Sequence, residues 1–161
     1  YQELMDINFG KRNSVLEVEE GSNLQPKFDK NGLIPVITVD SSDKQVLMHG
    51  YMNEKAFKLS IQTKEAHYWS RSRKCIWKKG KTSGLTQRIL EIKIDDDQDC
   101  VVFVVKLGGL QASCHVGYKS CFYRKLSNKN GNYSDKLEFV EEKKVFDPKI
   151  IYGKTPNPTK L

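Results

Sequence analysis

An α+β fold rich in strands, a mixed sheet or half-barrel with one or two short helices, is what this sequence predicts. Three features predict it. Short runs of β-branched and aromatic residues recur between turn-forming clusters from residue 33 onward. One segment carries a helix cap followed by helical spacing. A chain of 161 residues, 38% of them hydrophobic, suits one domain with a real core rather than two.

In order, residues 1–27 are polar and weakly periodic up to Pro26, and read as an N-terminal arm with one short helix or strand. Residues 33–39 and 45–48 alternate as strands about the turn Asp40-Ser41-Ser42-Asp43, predicting a hairpin. Asn53 is an N-cap candidate for a helix over 54–62. Glu54 lies in its first turn, and Ala56, Phe57, Ser60 and Ile61 share one face. Strands are expected at 66–71, 89–94 and 101–107, the last two joined by an aspartate cluster, and a short one at 121–126. Asn130-Gly131 marks a turn. The tail from Pro148, with Gly153, Pro156 and Pro158, reads as an extended arm on the surface or across a partner subunit. No internal repeat or low-complexity segment interrupts this order. The expected organisation is an arm at 1–27, a catalytic domain at 28–127 and a C-terminal extension at 128–161.

No stretch approaches the roughly 18 consecutive apolar residues of a membrane span, and the N-terminus lacks a charged-then-apolar signal pattern. A soluble cytoplasmic protein with no membrane partner is expected, although the chain begins at Tyr1 and a removed leader would leave no trace. The formal charge of +7 and pI near 9.2 suit an anionic partner, a phosphorylated small molecule or a nucleic acid, but many soluble proteins are this basic without one. Four cysteines, Cys75, Cys100, Cys114 and Cys121, allow two disulfides by count. In a reducing compartment such residues are more often metal ligands or buried core groups.

Two clusters carry chemistry. Cys114-His115-Val116-Gly117-Tyr118-Lys119-Ser120-Cys121 places two thiols and an imidazole within eight residues, a donor set that suits zinc. The six-residue gap between the cysteines is wider than a zinc knuckle, so they also read as small buried hydrophobes. His115 is a third ligand or, preferably, the proton-transfer group, since reaching the same metal as Cys114 requires a bent backbone. The run Asp95-Asp96-Asp97-Gln98-Asp99 is the second cluster. In an extended segment Asp95, Asp97 and Asp99 share one face, a plausible Mg²⁺ site, while Asp96 points away. An acidic solvated turn is the plainer alternative.

A third segment, His67 to Arg73 followed by Trp77 to Gly84, mixes cations, hydroxyls and indoles. Arg71, Arg73 and Lys79 suit phosphate oxygens, Trp69 and Trp77 suit stacking on a purine, and Ser72, Thr82 and Ser83 add hydroxyls. An exposed basic hairpin with core-packed tryptophans is the plainer reading. Gly80-Lys81-Thr82 is not a phosphate-binding loop, because Cys75 stands at the required upstream glycine. The H-x-E and P-C-x-x-C signature of zinc nucleobase deaminases is absent.

Together Trp69-Ser70-Arg71-Ser72-Arg73, Trp77-x-Lys79-Gly80-x-Thr82-Ser83-Gly84, the D-x-D-x-D of Asp95, Asp97 and Asp99, and Cys114-His115-x-Gly117-x-x-Ser120-Cys121-Phe122-Tyr123-Arg124 resemble the phosphoribosyl-AMP cyclohydrolases of histidine biosynthesis. The likeness runs from about residue 33 to 124, in order and with the family's spacing. It implies an intertwined homodimer with active sites at the interface, and hydrolytic opening of the adenine ring of 1-(5-phosphoribosyl)-AMP between N1 and C6. It also implies Zn²⁺ to activate water and Mg²⁺, with basic side chains, to hold phosphate. His115 is then the nearest candidate to protonate the departing nitrogen.

The sequence departs from the family at one position. The usual pattern is D-C-D-x-D, whose cysteine completes a zinc site with the two later cysteines across the interface. Asp96 stands there in this chain. A carboxylate ligates zinc at similar distance, so Asp96 is the preferred replacement. Cys100, four residues on and roughly 13 Å away along an extended strand, is the alternative. The 37 residues after Arg124 are too few for the helical pyrophosphohydrolase fused to some members, so a monofunctional form is expected. The rival from another class is a zinc-stabilised nucleic-acid-binding module using the same basic and aromatic segment, whereas the preferred reading has no nucleic-acid partner.

Overall fold

The computed structural model describes residues 7–161 and shows an α+β fold built on a mixed sheet. The first six residues of the expected N-terminal arm lie outside the described residues. In chain order the elements are α1 (Val15–Glu20), β1 (Ile34–Asp40), β2 (Val46–Met52), α2 (Glu54–Thr63), β3 (His67–Ser70), β4 (Cys75–Lys78), β5 (Gln87–Ile94), β6 (Val101–Leu107), β7 (Arg124–Lys129), β8 (Asn132–Phe139) and α3 (Pro148–Tyr152). A four-stranded sheet runs β2-β1-β6-β5, and β3-β4 and β7-β8 are separate antiparallel pairs.

β1 alternates as its sequence dictates, burying Ile34, Val36, Thr38 and Asp40. It pairs antiparallel with β2 and parallel with β6, so the hydrophobic run of β6 lies at the sheet centre, with Val101, Phe103 and Val105 fully buried. α2 starts where Asn53 accepts a hydrogen bond from Ala56 N at 2.8 Å. Its buried face of Ala56, Phe57 and Ser60 packs into one core with Leu47, Met52, Tyr68 and the inner side of the sheet. The helix ends at Lys64 in the left-handed region.

The N-terminal arm is tied down by a residue from the aspartate turn. Gln98, 5% exposed, accepts from Gln25 N at 2.7 Å and donates to Val18 O at 3.0 Å and Asn23 O at 3.2 Å. Its own carbonyl accepts from Lys27 N at 2.7 Å. Gln98→Ala strands two buried backbone groups, Gln25 N and Val18 O, and loses a third, part-buried bond to Asn23 O, so we expect a loss of about 3 kcal/mol in chemical denaturation. A loss below about 1 kcal/mol would show that water replaces the amide.

Four segments differ from the sequence-based expectations. β4 was not anticipated as a strand. It pairs with β3, so the basic segment is a hairpin, with Tyr68 opposite Trp77. The strand expected at 121–126 begins only at Arg124, because Cys121 and Phe122 belong to the preceding loop: Cys121 N donates to Leu47 O and Phe122 N to Ser120 Oγ. β8, also unanticipated, exposes every residue and therefore lacks a core-facing stripe. The tail is not wholly extended. Asp147 caps α3, Pro148 occupies its first turn and Gly153 ends it.

Candidate active site

The loop that follows β6 carries the cysteines. Gly109, at φ +61, sits so close to the 80–84 turn that an added Cβ would lie 2.3 Å from Gly84 O. Beyond it Ser113 N donates to Lys119 O, Cys114 N to Tyr118 O and Gly117 N to Cys114 O, folding 113–119 into a compact turn. That turn removes the spacing objection to a cysteine pair. The Cys114 and Cys121 side chains are hydrogen-bonded to one another, and none of the four cysteines is in a disulfide.

The Cys121 thiol donates to Cys114, which lowers the Cys114 pKa, aided by backbone N–H groups and the charge of Lys79. The same bond, above all, pushes Cys121 up, although that residue lies at the surface. Cys114 is 2% exposed. His115 is half-buried, and burial pulls its pKa down against a hydrogen bond that the ring donates to the Asn157 side chain. Its Nε2 is buried without a partner among the described residues. A buried imidazole nitrogen left unsatisfied in this way is poised for a group the protein itself does not supply.

Beneath the loop runs a buried hydrogen-bond chain. Thr38 Oγ1 meets Tyr68 OH at 2.7 Å, and Tyr68 OH donates to Gln87 Oε1. Gln87 Nε2 donates to Ser113 Oγ at 3.1 Å, and Lys79 Nζ donates to Ser113 O at 2.7 Å. The sheet centre thereby fixes the residue before Cys114. Lys79, expected among the phosphate-binding side chains, is thus a buried donor under the loop. Burial lowers its pKa and the charges of Cys121 and Cys114 oppose that.

The aspartate cluster is a turn rather than an extended strand end. Gln98 adopts φ +58, and Asp95 Oδ1 accepts from both Asp99 N at 2.9 Å and Cys100 N at 3.0 Å. Oxygens of Asp95, Asp97 and Asp99 come within 4.8 Å of one another, so the grouping expected from strand alternation is produced by a turn. Hydrogen bonds that its protonated carboxyl donates to Asp97 and Asp95 push Asp99 up to about 6. Carboxylates crowded this closely resist joint ionisation, and a divalent cation relieves that cost.

The two clusters are not brought together within one protomer. Asp95 and Cys100 flank the start of β6, whereas Cys121 is anchored to Leu47, which lies two strands across and level with Phe103 and Val104, about 10–13 Å further along the strands. Neither Asp96 nor Cys100 therefore reaches the cysteine pair of its own chain. Among the described residues, no third His, Cys, Asp or Glu atom joins Cys114 and Cys121.

The basic hairpin lies along β2. Arg71 is exposed with its guanidinium 4.3 Å from the Tyr51 ring, and Ser72 and Arg73 are exposed beside it. Trp69 and Trp77 are half-buried, Trp77 packing 5.0 Å from Tyr68. Thr82 is exposed, and Ser83 is hydrogen-bonded to Tyr152. Sequence reasoning missed Gln87, Gln98 and the C-terminal residues that touch the loop. Gln87 was findable, since it shares the inward face of β5 with Ile89.

Comparison with known proteins points to one family. The sequence profile of phosphoribosyl-AMP cyclohydrolase matches residues 48–123. The chain is 44% identical over 137 residues to a phosphoribosyl-AMP cyclohydrolase of Rhizobium leguminosarum, covering 85% of this chain and 90% of that protein. It is 46% identical over 138 residues to that of Bradyrhizobium diazoefficiens, covering 86% and 96%. With one from Rhodopseudomonas palustris the identity is 47% over 139 residues, covering 86% and 92%.

Proposed function

The chain belongs to the phosphoribosyl-AMP cyclohydrolase family, a group of hydrolases in histidine biosynthesis, and from that premise we propose that it opens the adenine ring of 1-(5-phosphoribosyl)-AMP. Water adds at C6, the C6–N1 bond breaks, C6 becomes the carboxamide carbon, and N1 leaves as part of the formimino group carrying the phosphoribosyl moiety. The observation that carries this reading is the hydrogen-bonded Cys114 and Cys121 pair next to His115, whose Nε2 is buried and unpartnered among the described residues.

The donor set fits both metals the family implies. Cys114 and Cys121 would hold Zn²⁺, and Asp95, Asp97 and Asp99 would hold Mg²⁺. Zinc, when bound, supplies a hydroxide-like water at neutral pH. His115 holds the proton that N1 needs on leaving, and Asn157 fixes the ring that carries it. Arg71 and Arg73 meet the phosphates, and a tryptophan face receives the purine. Because no carboxylate, thiol or imidazole among the described residues joins Cys114 and Cys121, this reading takes the third ligand from a second copy of the chain, one protomer of a homodimer presenting its cysteine loop to the other's Asp96. No helix among the described residues is long and apolar enough to cross a membrane, and a cytoplasmic enzyme follows from its place in biosynthesis.

Turnover of 1-(5-phosphoribosyl)-AMP with Zn²⁺ and Mg²⁺ present, followed by the absorbance of the ring-opened ribotide, tests this reading. We expect turnover and no retention of oligonucleotides at physiological salt. Salt-sensitive oligonucleotide binding without turnover would favour the nucleic-acid module instead.

A further inference from the structure

The chain beyond β8 turns back over the cysteine loop. Val140 N donates to Tyr123 O at 2.7 Å. The Glu141 carboxylate then accepts from two successive loop amides, Lys119 N at 2.8 Å and Ser120 N at 2.9 Å. Four residues on, Val145 N donates to Gly117 O at 2.7 Å, and Phe146 N reaches the same carbonyl at 3.3 Å. Gly117 is held at φ +114, where a Cβ would lie 2.5 Å from Phe146 O, so strap and loop are in backbone contact. Phe146 is buried against Leu85 and Ala112, the latter two residues before Cys114. Tyr118 stacks on Tyr123 at 4.0 Å, and both lie about 6 Å from Phe139 of β8.

We propose that Glu141 is a positioning residue for the metal-binding loop, the central contact of a strap formed by residues 140–146 that keeps Cys114 closed and in place opposite Cys121. Two amides converging on one carboxylate make charge-assisted hydrogen bonds, which are directional and define where the backbone of Lys119 and Ser120 lies. Cys121 follows directly. Groups that orient metal ligands from behind typically change metal affinity by about 10- to 100-fold when removed. The inference rests on reading Cys114 and Cys121 as zinc ligands, and its test separates the two ideas.

The experiment compares Glu141→Ala, Glu141→Gln and the neighbouring exposed Glu142→Ala in the full-length protein as purified. Two rates are measured: zinc transfer to a chromophoric chelator, and alkylation of Cys114 by iodoacetamide resolved by peptide mass. We expect Glu141→Ala to accelerate both by about 10-fold, at low salt and at about 0.5 M salt alike, because a hydrogen-bonded clamp is not screened as a bare charge is. Glu141→Gln, which retains one acceptor oxygen, should fall between, and Glu142→Ala should match the parent protein. If Glu141→Ala does not fold, the Gln variant gives the answer. Cys114 alkylation within two-fold of the parent in both Glu141 variants would overturn the strap. Zinc retained in a Cys114→Ser protein would instead overturn the ligand assignment and leave the alkylation result standing.

Discussion

Cys114→Ser should lower kcat/KM by at least about 1,000-fold and remove zinc, while the protein keeps its fold. Serine is a poor donor for zinc at neutral pH, and the remaining Cys121 lacks its hydrogen-bond partner. The backbone does not depend on the sulfur: the loop is closed by Ser113 with Lys119 and by Gly117 with Cys114 O, and it is anchored below through Gln87 and Lys79. Burying a hydroxyl at a site only 2% exposed should cost about 1–2 kcal/mol of stability, too little to unfold a typical domain. Elemental analysis, circular dichroism and kinetics on one preparation check this. Full activity in a zinc-free Cys114→Ser protein would remove zinc from the mechanism.

Much of the sheet was legible because its signals are local. β1 alternates strictly, β6 is a continuous apolar run, and Asn53 caps α2 within three residues of its partner. The separate motifs were legible for the same reason, since each is contiguous. Their spatial relation was not. Strand alternation grouped Asp95, Asp97 and Asp99 by the wrong geometry, because nothing local announces that Gln98 will take a left-handed φ while its side chain crosses to the N-terminal arm 73 residues earlier. The strap was hidden likewise, as Glu141 meets loop amides 21 and 22 residues away and β8 has no buried face to betray it. α3 was the exception: Asp147, Pro148 and Gly153 form a local start and stop signal that the surrounding prolines obscured.

The aspartate turn also reshapes the choice between Asp96 and Cys100 as the third zinc ligand. Distance along an extended strand no longer separates them, since the chain folds so that Asp95 Oδ1 accepts from Cys100 N. Exposure now separates them. Cys100 is half-buried, and burial together with the charges of Asp95 and Asp99 pushes its thiol up, opposing the thiolate that zinc requires. Asp96 is exposed, and its carboxylate has no hydrogen-bond partner among the described residues, so it is free to reach a facing subunit. Asp96→Ala should therefore lose zinc and cut activity by about 100-fold or more, whereas Cys100→Ser should stay within about two-fold of the parent. Asp96→Cys should retain activity and slow zinc release, because thiolate is the softer donor. Chelator competition and turnover measured on the three variants read the order directly. Inactive Cys100→Ser beside healthy Asp96→Ala would place the ligand on Cys100, with zinc itself lowering the thiol pKa enough to overcome its acidic neighbours.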